Sequence, residues 1–298
     1  MSQAMQDLSN GFADIVARSA PSVARVEGRR RGPASGIVWS ADGLIVTANH
    51  VVHRDDRLSI VLADGQTYET VLVGRDPSTD LALLKVAASG LAPLPHATET
   101  EMSVGHWVLA LARPGRTVQA TFGIVSALGE GWRTPMGGQV DHYLQTDVVM
   151  YPGFSGGPLV GANGNLFGLN TSGLGQGASL TIPAVTVARV IESLQAHGHV
   201  RRGYLGVSTQ RVRLPEDIAG TLGQKAGLLV ISVETGSPAA EAGMSLGDTI
   251  VSLGGKAIAR HEDLLSALSG DVVGQKEVMQ ILRGGRTQEV TVKVGERQ

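Results

Sequence analysis

Hydrophobic positions change their period several times along the chain. Across residues 7–19, Leu8, Phe12, Ile15 and Val16 share one helical face with polar residues opposite, and Pro21 ends the pattern. A short amphipathic helix is expected there, packed on its own domain or on a neighbouring subunit. From Val23 onward the apolar residues come in short β-branched runs: Ser35-Gly36-Ile37-Val38-Trp39, Leu44-Ile45-Val46-Thr47, Leu58-Ser59-Ile60-Val61-Leu62, Tyr68-Glu69-Thr70-Val71-Leu72-Val73 and Leu81-Ala82-Leu83-Leu84-Lys85-Val86. Turn signals separate them at Asp42-Gly43, Asp64-Gly65 and Asp76-Pro77. The texture resumes in Trp107-Val108-Leu109-Ala110-Leu111, Thr121-Phe122-Gly123-Ile124-Val125-Ser126, Leu159-Val160 and Leu166-Phe167-Gly168-Leu169-Asn170. Asn163-Gly164 joins the last two, a strong hairpin signal. Strands this closely spaced predict a barrel or sandwich.

Helical spacing returns over 183–196, with Val187, Val190, Ile191 and Leu194 on one face, and closes the first unit. His197-Gly198-His199 reads as a hinge and solvated helix end, because two histidines without further ligands make a poor metal site. Residues 200–298 read as a separate small α+β domain. Its strands are Tyr204-Leu205-Gly206-Val207, Leu228 to Val233, Thr249 to Leu253, Val278 to Leu282 and Glu289 to Val294. Ser237-Pro238 starts a short helix with a serine N-cap and proline in its first turn, and Gly243 stops it. A second helix over 262–269 presents Leu264, Leu265 and Leu268.

Composition supports an all-β texture. Glycine, at 40 of 298 residues, is about twice its usual share without a collagen period. Aromatics are 4%, so the core must be mainly aliphatic. A formal charge of −2 with no basic block argues against nucleic acid as the main partner. With no cysteine, neither disulfides nor thiolate-held zinc enter the picture. The first residues show no basic and apolar leader, and no run approaches the ~20 apolar residues of a membrane helix. The chain as it stands is therefore expected in the cytoplasm, or outside it if a targeting segment has been removed.

Chemistry concentrates in Tyr151-Pro152-Gly153-Phe154-Ser155-Gly156-Gly157-Pro158-Leu159. Glycines and prolines make this a tight loop presenting a hydroxyl beside bare backbone N–H groups, which is what acyl transfer requires. A serine closing an ordinary turn is the bland alternative. Two further residues complete a constellation. His50, in Thr47-Ala48-Asn49-His50-Val51-Val52, ends an apolar run where a barrel strand reaches its rim. Asp80, in Asp76-Pro77-Ser78-Thr79-Asp80-Leu81, sits on the lip of an apolar strand, a poor place for an unpartnered charge. Asp76 reads as a turn residue, and Asp55, Asp56 and Asp64 as solvated. Singly, a packed histidine and a turn carboxylate remain open readings; the order His, Asp, Ser on an all-β background is one of the known linear orders of the serine triad.

At this level the sequence resembles the HtrA/Deg family of trypsin-like serine proteases. The resemblance rests on the His50, Asp80 and Ser155 segments, on Ala34-Ser35-Gly36-Ile37-Val38, Gly123-Ile124-Val125-Ser126 and Leu144-Gln145-Thr146-Asp147, and on two C-terminal stretches similar to that family's PDZ domain. These are Gly203-Tyr204-Leu205-Gly206-Val207 and the segment from Gly236-Ser237-Pro238 to Gly247-Asp248-Thr249-Ile250-Val251. It implies a mainly β chain: an N-terminal helix or oligomerisation segment at 1–21, a two-barrel chymotrypsin-like domain at 22–196, a linker at 197–202 and an α+β PDZ domain at 203–298. It implies an ATP-independent endopeptidase for unfolded or misfolded proteins, with no cofactor and no metal, assembled as a homotrimer or a multiple of it. His50 would be the general base, Asp80 its orienting partner, Ser155 the nucleophile, and Gly153 and Ser155 the oxyanion hole. Val149, Met150, Tyr151, Pro152, Asn170, Thr171 and Ser172 would form the S1 pocket; without an acidic residue it should favour a neutral, small-to-medium P1 side chain. Hydrophobic peptide C-termini would add beside Tyr204, Leu205, Gly206 and Val207, with Leu265 and Leu268 as groove walls.

The chain departs from the family at Phe154, where asparagine is usual, at the approach Met150-Tyr151-Pro152, and at Ala112-Arg113-Pro114-Gly115. The glycine-rich 129–139 stretch is the candidate mobile activation loop. A client-holding chaperone or PDZ scaffold with a latent protease domain is the competing class. An α/β-hydrolase fails, because it needs serine before aspartate before histidine.

Overall fold

In the computed structural model, which describes residues 2–29, 32–53, 58–98, 102–175, 179–269 and 272–296, the short apolar runs close into two six-stranded antiparallel barrels. Asp55 and Asp56 lie outside the described residues. The first barrel comprises β1 (Val23–Glu27), β2 (Ala34–Val38), β3 (Leu44–Ala48), β4 (Leu58–Val61), β5 (Thr67–Asp76) and β6 (Leu81–Val86), ordered β1-β2-β3-β6-β5-β4. The second comprises β7 (Trp107–Ala112), β8 (Gln119–Gly129), β9 (Tyr143–Thr146), β10 (Pro158–Gly161), β11 (Leu166–Thr171) and β12 (Ser179–Pro183), ordered β9-β12-β11-β10-β7-β8. β2, β3 and β10 are buried along their whole length, so they carry continuous apolar runs instead of alternation. The barrel cores are aliphatic, as the scarcity of aromatics requires; Phe154, 1% exposed, heads the fully buried side chains and packs with Val148, Leu159 and Phe167.

Register places the site. Ala48 pairs with Leu81, so the chain after β3 and the turn before β6 emerge side by side, with His50 and Asp80 just past the paired ends. In the second barrel Asn170 donates its N–H to Gly157 O (2.9 Å) and accepts from Gly156 N–H (2.8 Å). The loop before β10 and the end of β11 are thereby tied together, bringing Ser155 beside residues 171–173.

Helix α1 (Gln3–Ser19) starts four residues earlier than the apolar pattern suggests. Its first turns are held by polar i,i+4 pairs, Gln3 to Asp7 (2.8 Å) and Gln6 to Asn10 (3.1 Å), which hydrophobic periodicity does not reveal. Ile15 is buried on the first barrel, whereas Leu8 is 37% and Met5 55% exposed. Phe12 stacks edge-on against Phe122 (4.9 Å) and tilts onto Trp107 (5.6 Å), both on the second barrel. Helix α2 (Ala184–His197) buries Val187, Val190, Ile191 and Leu194, and ends on Gly198 at φ +76°, a left-handed cap glycine tolerates best.

The chain divides between residues 200 and 201. The C-terminal unit is an antiparallel sheet of β13 (Val207–Arg213), β14 (Ala226–Val233), β15 (Thr249–Leu253), β16 (Lys276–Arg283) and β17 (Arg286–Lys293), in that order. It carries α3 (Glu216–Leu222), α4 (Pro238–Glu241) and α5 (His261–Ala267). Ser237 caps α4 by accepting from Ala240 N–H (3.2 Å). β13 is an edge strand, with β14 on one side only.

Candidate active site

Asp80 is the one non-glycine residue among those described with positive φ, at +58°. Aspartate tolerates this region better than branched residues, and such strain, of order 1–3 kcal/mol, concentrates at functional sites. The preceding turn is built by Asp76, whose buried carboxylate accepts from Ser78 N–H (3.1 Å), Ser78 Oγ (2.7 Å) and Thr79 Oγ1 (2.7 Å). Asp80 O accepts from Asn49 N–H (2.9 Å), and Oδ1 accepts from His50 N–H (2.8 Å). Oδ2 accepts from both His50 Nδ1 (2.8 Å) and Thr171 Oγ1. The Asp80 side chain is 6% exposed, so both carboxylate oxygens are filled from three directions in a dry setting. An ionised carboxylate only accepts; Nδ1 must therefore carry the imidazole proton, leaving Nε2 with a lone pair. His53 Nε2 donates to His50 O (2.9 Å) and fixes the backbone from behind.

The serine loop is held by different means. Phe154 plugs into the second-barrel core and Tyr151 stacks on it at 6.0 Å. Gly153 and Gly156 adopt φ +97° and +86°. A Cβ on Gly156 would collide with Ser35 O and Thr47 Oγ1, so no other residue fits there. Ser155 is 7% exposed; its Oγ shares a hydrogen bond with Ser172 Oγ (3.1 Å) and accepts weakly from Ser172 N–H (3.4 Å). Among the described residues the imidazole is not one of its partners. The N–H groups of Gly153 and Ser155 donate to no acceptor among the described residues.

Three consecutive residues join the halves. Thr171 donates to Asp80 and Ser172 bonds to Ser155. Gly173 lies so close to the pair that a Cβ would stand 2.5 Å from Asp80 Oδ2 and 2.9 Å from His50 Nδ1. The structure thus brings His50, Asp80 and Ser155 to one rim of the two barrels. Sequence reasoning missed the contact of Thr171 with Asp80: both Asn170 and Thr171, expected as S1 wall, are fully buried. Asn170 Oδ1 accepts from Thr181 Oγ1 (2.9 Å), and Thr171 faces the carboxylate. Val149 and Tyr151 are 54% and 57% exposed, Pro152 is exposed and Met150 is half-buried against the core. The 129–139 stretch, expected to move, is folded as the pair Trp132–Arg133 with Gln139–Val140. Thr134, buried, donates to Ser78 O (2.6 Å), two residues before Asp80.

In the C-terminal unit Leu205 and Leu268 belong to the core and Leu265 is 42% exposed on α5. Gly206 takes φ +75°, and Tyr204 lies in a two-residue pairing with Gly295–Glu296. Val207 begins β13, whose free edge faces the start of α5. There His261 Nε2 donates to Thr209 O (2.9 Å) and Arg211 Nε to Ala259 O (3.3 Å).

Residues 34–169 match the trypsin-like peptidase domain family, and residues 203–294 match the PDZ domain family. A protein of Ectopseudomonas mendocina named as a probable periplasmic serine endoprotease, DegP-like, is 38% identical over 303 residues, covering 98% of this chain and 63% of its own length. A protein of the same name from Chlamydia trachomatis is 36% identical over 266 residues, covering 87% of this chain and 53% of that one. The chain thus spans between half and two thirds of these curated relatives. Among solved structures, the HtrA-type protease AlgW with a decapeptide superposes with a TM-score of 0.80 at 30% identity, covering 96% of this chain and 99% of that one. The serine endoprotease from Yersinia pestis gives 0.79 at 30% identity, with 96% and 98% covered. The curated relatives are named periplasmic, which gives the cytoplasmic expectation no support. Among the described residues no helix is long and apolar enough to cross a membrane.

Proposed function

The chain belongs to the HtrA/Deg family of trypsin-like serine proteases with a PDZ domain, and we propose that it is a serine endopeptidase that cleaves unfolded or misfolded proteins without ATP. The observation that carries this reading is an imidazole whose Nδ1 is committed to a buried carboxylate, at the rim that also presents Ser155, in a loop where the N–H groups of Gly153 and Ser155 have no acceptor among the described residues.

The Ser155 hydroxyl attacks the peptide carbonyl while its proton passes to Nε2 of His50. Asp80 keeps the ring in the competent tautomer and offsets the imidazolium charge. Negative charge on the tetrahedral oxygen is met by the N–H groups of Gly153 and Ser155, and losing one such donor typically raises the barrier by about 2.7–4 kcal/mol. His50 then protonates the leaving amine, and water, deprotonated by the same imidazole, releases the acyl group. The Ser155 hydroxyl must first give up its bond to Ser172. Segments 149–152 and 170–172 contain no carboxylate, which supports a neutral, small-to-medium P1 residue. In the PDZ unit a hydrophobic C-terminus adds as a strand to the free edge of β13, its carboxylate meeting the turn at Tyr204, Leu205 and Gly206. The solved relatives with a decapeptide or tripeptide fit that use. The half-exposed cluster of Phe12, Trp107 and Phe122 beside exposed Met5 and Leu8 supports assembly into trimers through α1. The names of the relatives support a periplasmic site of action.

A client-holding role is the second reading, favoured by the Ser155 hydroxyl resting on Ser172 and not on the imidazole. Release of acid-soluble peptide from β-casein separates the two. Endopeptidase activity requires release by the wild type and none by Ser155→Ala; intact casein in both, with client aggregation still suppressed, selects the holding role.

A further inference from the structure

We propose that Ser35 is a positioning residue for the oxyanion-binding loop, an inference that rests on the endopeptidase reading. Ser35 lies in β2 and is 0% exposed. A hydroxyl in so apolar a strand is costly unless bonded, and here every polar atom of the residue has a partner. Oγ donates to Gly153 O (2.7 Å) and accepts from Arg113 N–H (2.8 Å). The Ser35 N–H donates to Ser155 O (3.1 Å), and its carbonyl accepts from Thr47 Oγ1 (2.7 Å). One residue therefore grips the carbonyls of both residues whose N–H groups are free at the site.

Glycine makes the grip necessary. Gly153 sits at φ +97° with no Cβ to restrict it, so the peptide planes on either side have a soft rotation. The Gly153 N–H belongs to the Pro152–Gly153 peptide and the Ser155 N–H to the Phe154–Ser155 peptide, and the Gly153–Phe154 peptide between them sets how the two are spaced. The Gly153–Phe154 peptide is held at both ends, its oxygen by Ser35 and its N–H by Tyr151 O (3.0 Å). The far side of Ser35 is equally fixed. Arg113, which donates to Oγ, has its guanidinium bonded to the carbonyls of Val23 (2.6 Å), Ala20 (2.7 Å) and Arg116 (3.0 Å). Ser35 itself lies in β2 of the first barrel. The oxyanion donors thereby take their orientation from the first barrel, which carries the base.

The test uses the full chain and compares Ser35→Ala with Thr47→Val, which removes an equally buried hydroxyl from the same hub but leaves the Gly153 anchor intact. Ser35→Ala should lower kcat on a short peptide substrate about 10- to 100-fold with KM within about twofold. Affinity for a peptide boronate, whose tetrahedral adduct with Ser155 sets an oxygen before the loop donors, should fall by the same factor. Affinity for uncleaved peptide, measured with Ser155→Ala in both backgrounds, should not change. Thr47→Val should stay within about threefold of wild type in kcat. Ser35→Cys, nearly isosteric with a weak donor, should fall between, and it carries the test if Ser35→Ala does not fold. An active wild type with Ser35→Ala no slower than Thr47→Val, or with kcat reduced but boronate affinity intact, overturns this inference alone. A wild type inert towards casein and boronate alike overturns the endopeptidase reading and this inference with it.

Discussion

Asp80 and Ser155 occupy comparable places, each in a tight turn just outside a barrel strand, yet their surroundings differ in kind. Asp80 has both oxygens filled by His50 N–H, His50 Nδ1 and Thr171 Oγ1, and its turn is tied down by the Asp76 network and by Thr134 on Ser78. Ser155 sits in a loop anchored by one aromatic side chain and by Ser35, its hydroxyl is bonded only to Ser172, and the N–H groups of Gly153 and Ser155 have no acceptor among the described residues. The Asp80–His50 pair is therefore fixed through its side chains, while the Ser155 loop is fixed through its backbone.

The largest break in this comparison comes from the Asp80–His50 pair. Asp80→Asn should leave the imidazole in the wrong tautomer and lower kcat about 10⁴-fold, measured on a peptide substrate with KM little changed. Next is the anchor of the Ser155 loop: Phe154→Ala empties a fully buried ring position and should cost about 3–5 kcal/mol in chemical unfolding of the protease unit. A cost under 1 kcal/mol would mean that the loop is held elsewhere. Smaller and of opposite sign, Ser172→Ala removes the resting partner of the nucleophile and should raise the rate of fluorophosphonate labelling severalfold; a fall would give Ser172 a supporting role instead.

The smallest effect extends the comparison to Asp248 of the C-terminal unit, a buried carboxylate with a structural role. Burial works against its charge, but the fork of Arg283, donating at 2.7 Å to each oxygen, and Ser245 N–H (2.8 Å) hold the carboxyl below its usual range. A depressed carboxyl stabilises the fold fully above its unfolded value of about 3.9, and that stability is lost as pH falls through the lower folded value. Melting of the isolated transition of this unit should therefore drop below about pH 4, and Asp248→Asn should flatten that dependence while lowering stability at neutral pH.

Much of this was legible in the sequence, for identifiable reasons. Asp-Gly and Asn-Gly turns between β-branched runs marked the strands, and three local signals in the order His, Asp, Ser marked the candidate site: His50 at the end of an apolar run, Asp80 on the lip of an apolar strand and Ser155 in a Gly/Pro loop. What stayed hidden depends on contacts between distant residues. Ser35 looked like a small strand residue, since its partners Arg113 and Gly153 are 78 and 118 positions away. Thr171 looked like a pocket wall, because a hydroxyl at a strand end does not announce which way it points. The docking of the 129–139 stretch was hidden as well: Gly138 packs against the backbone of Ser78, where a Cβ would stand 2.5 Å away, and the glycine permits that docking. Phe154 departs from the family pattern in the sequence, and the structure gives the physical reason it is accommodated: its ring fills the second-barrel core.

The central claim is that His50, activated through Asp80, makes Ser155 a nucleophile. Mass spectrometry of the full chain after brief exposure to a fluorophosphonate tests it most directly. A single phosphonyl adduct on Ser155 in the wild type, absent in His50→Ala, is the expected result. No adduct in the wild type, or an adduct on Ser155 formed equally fast without His50, would contradict it.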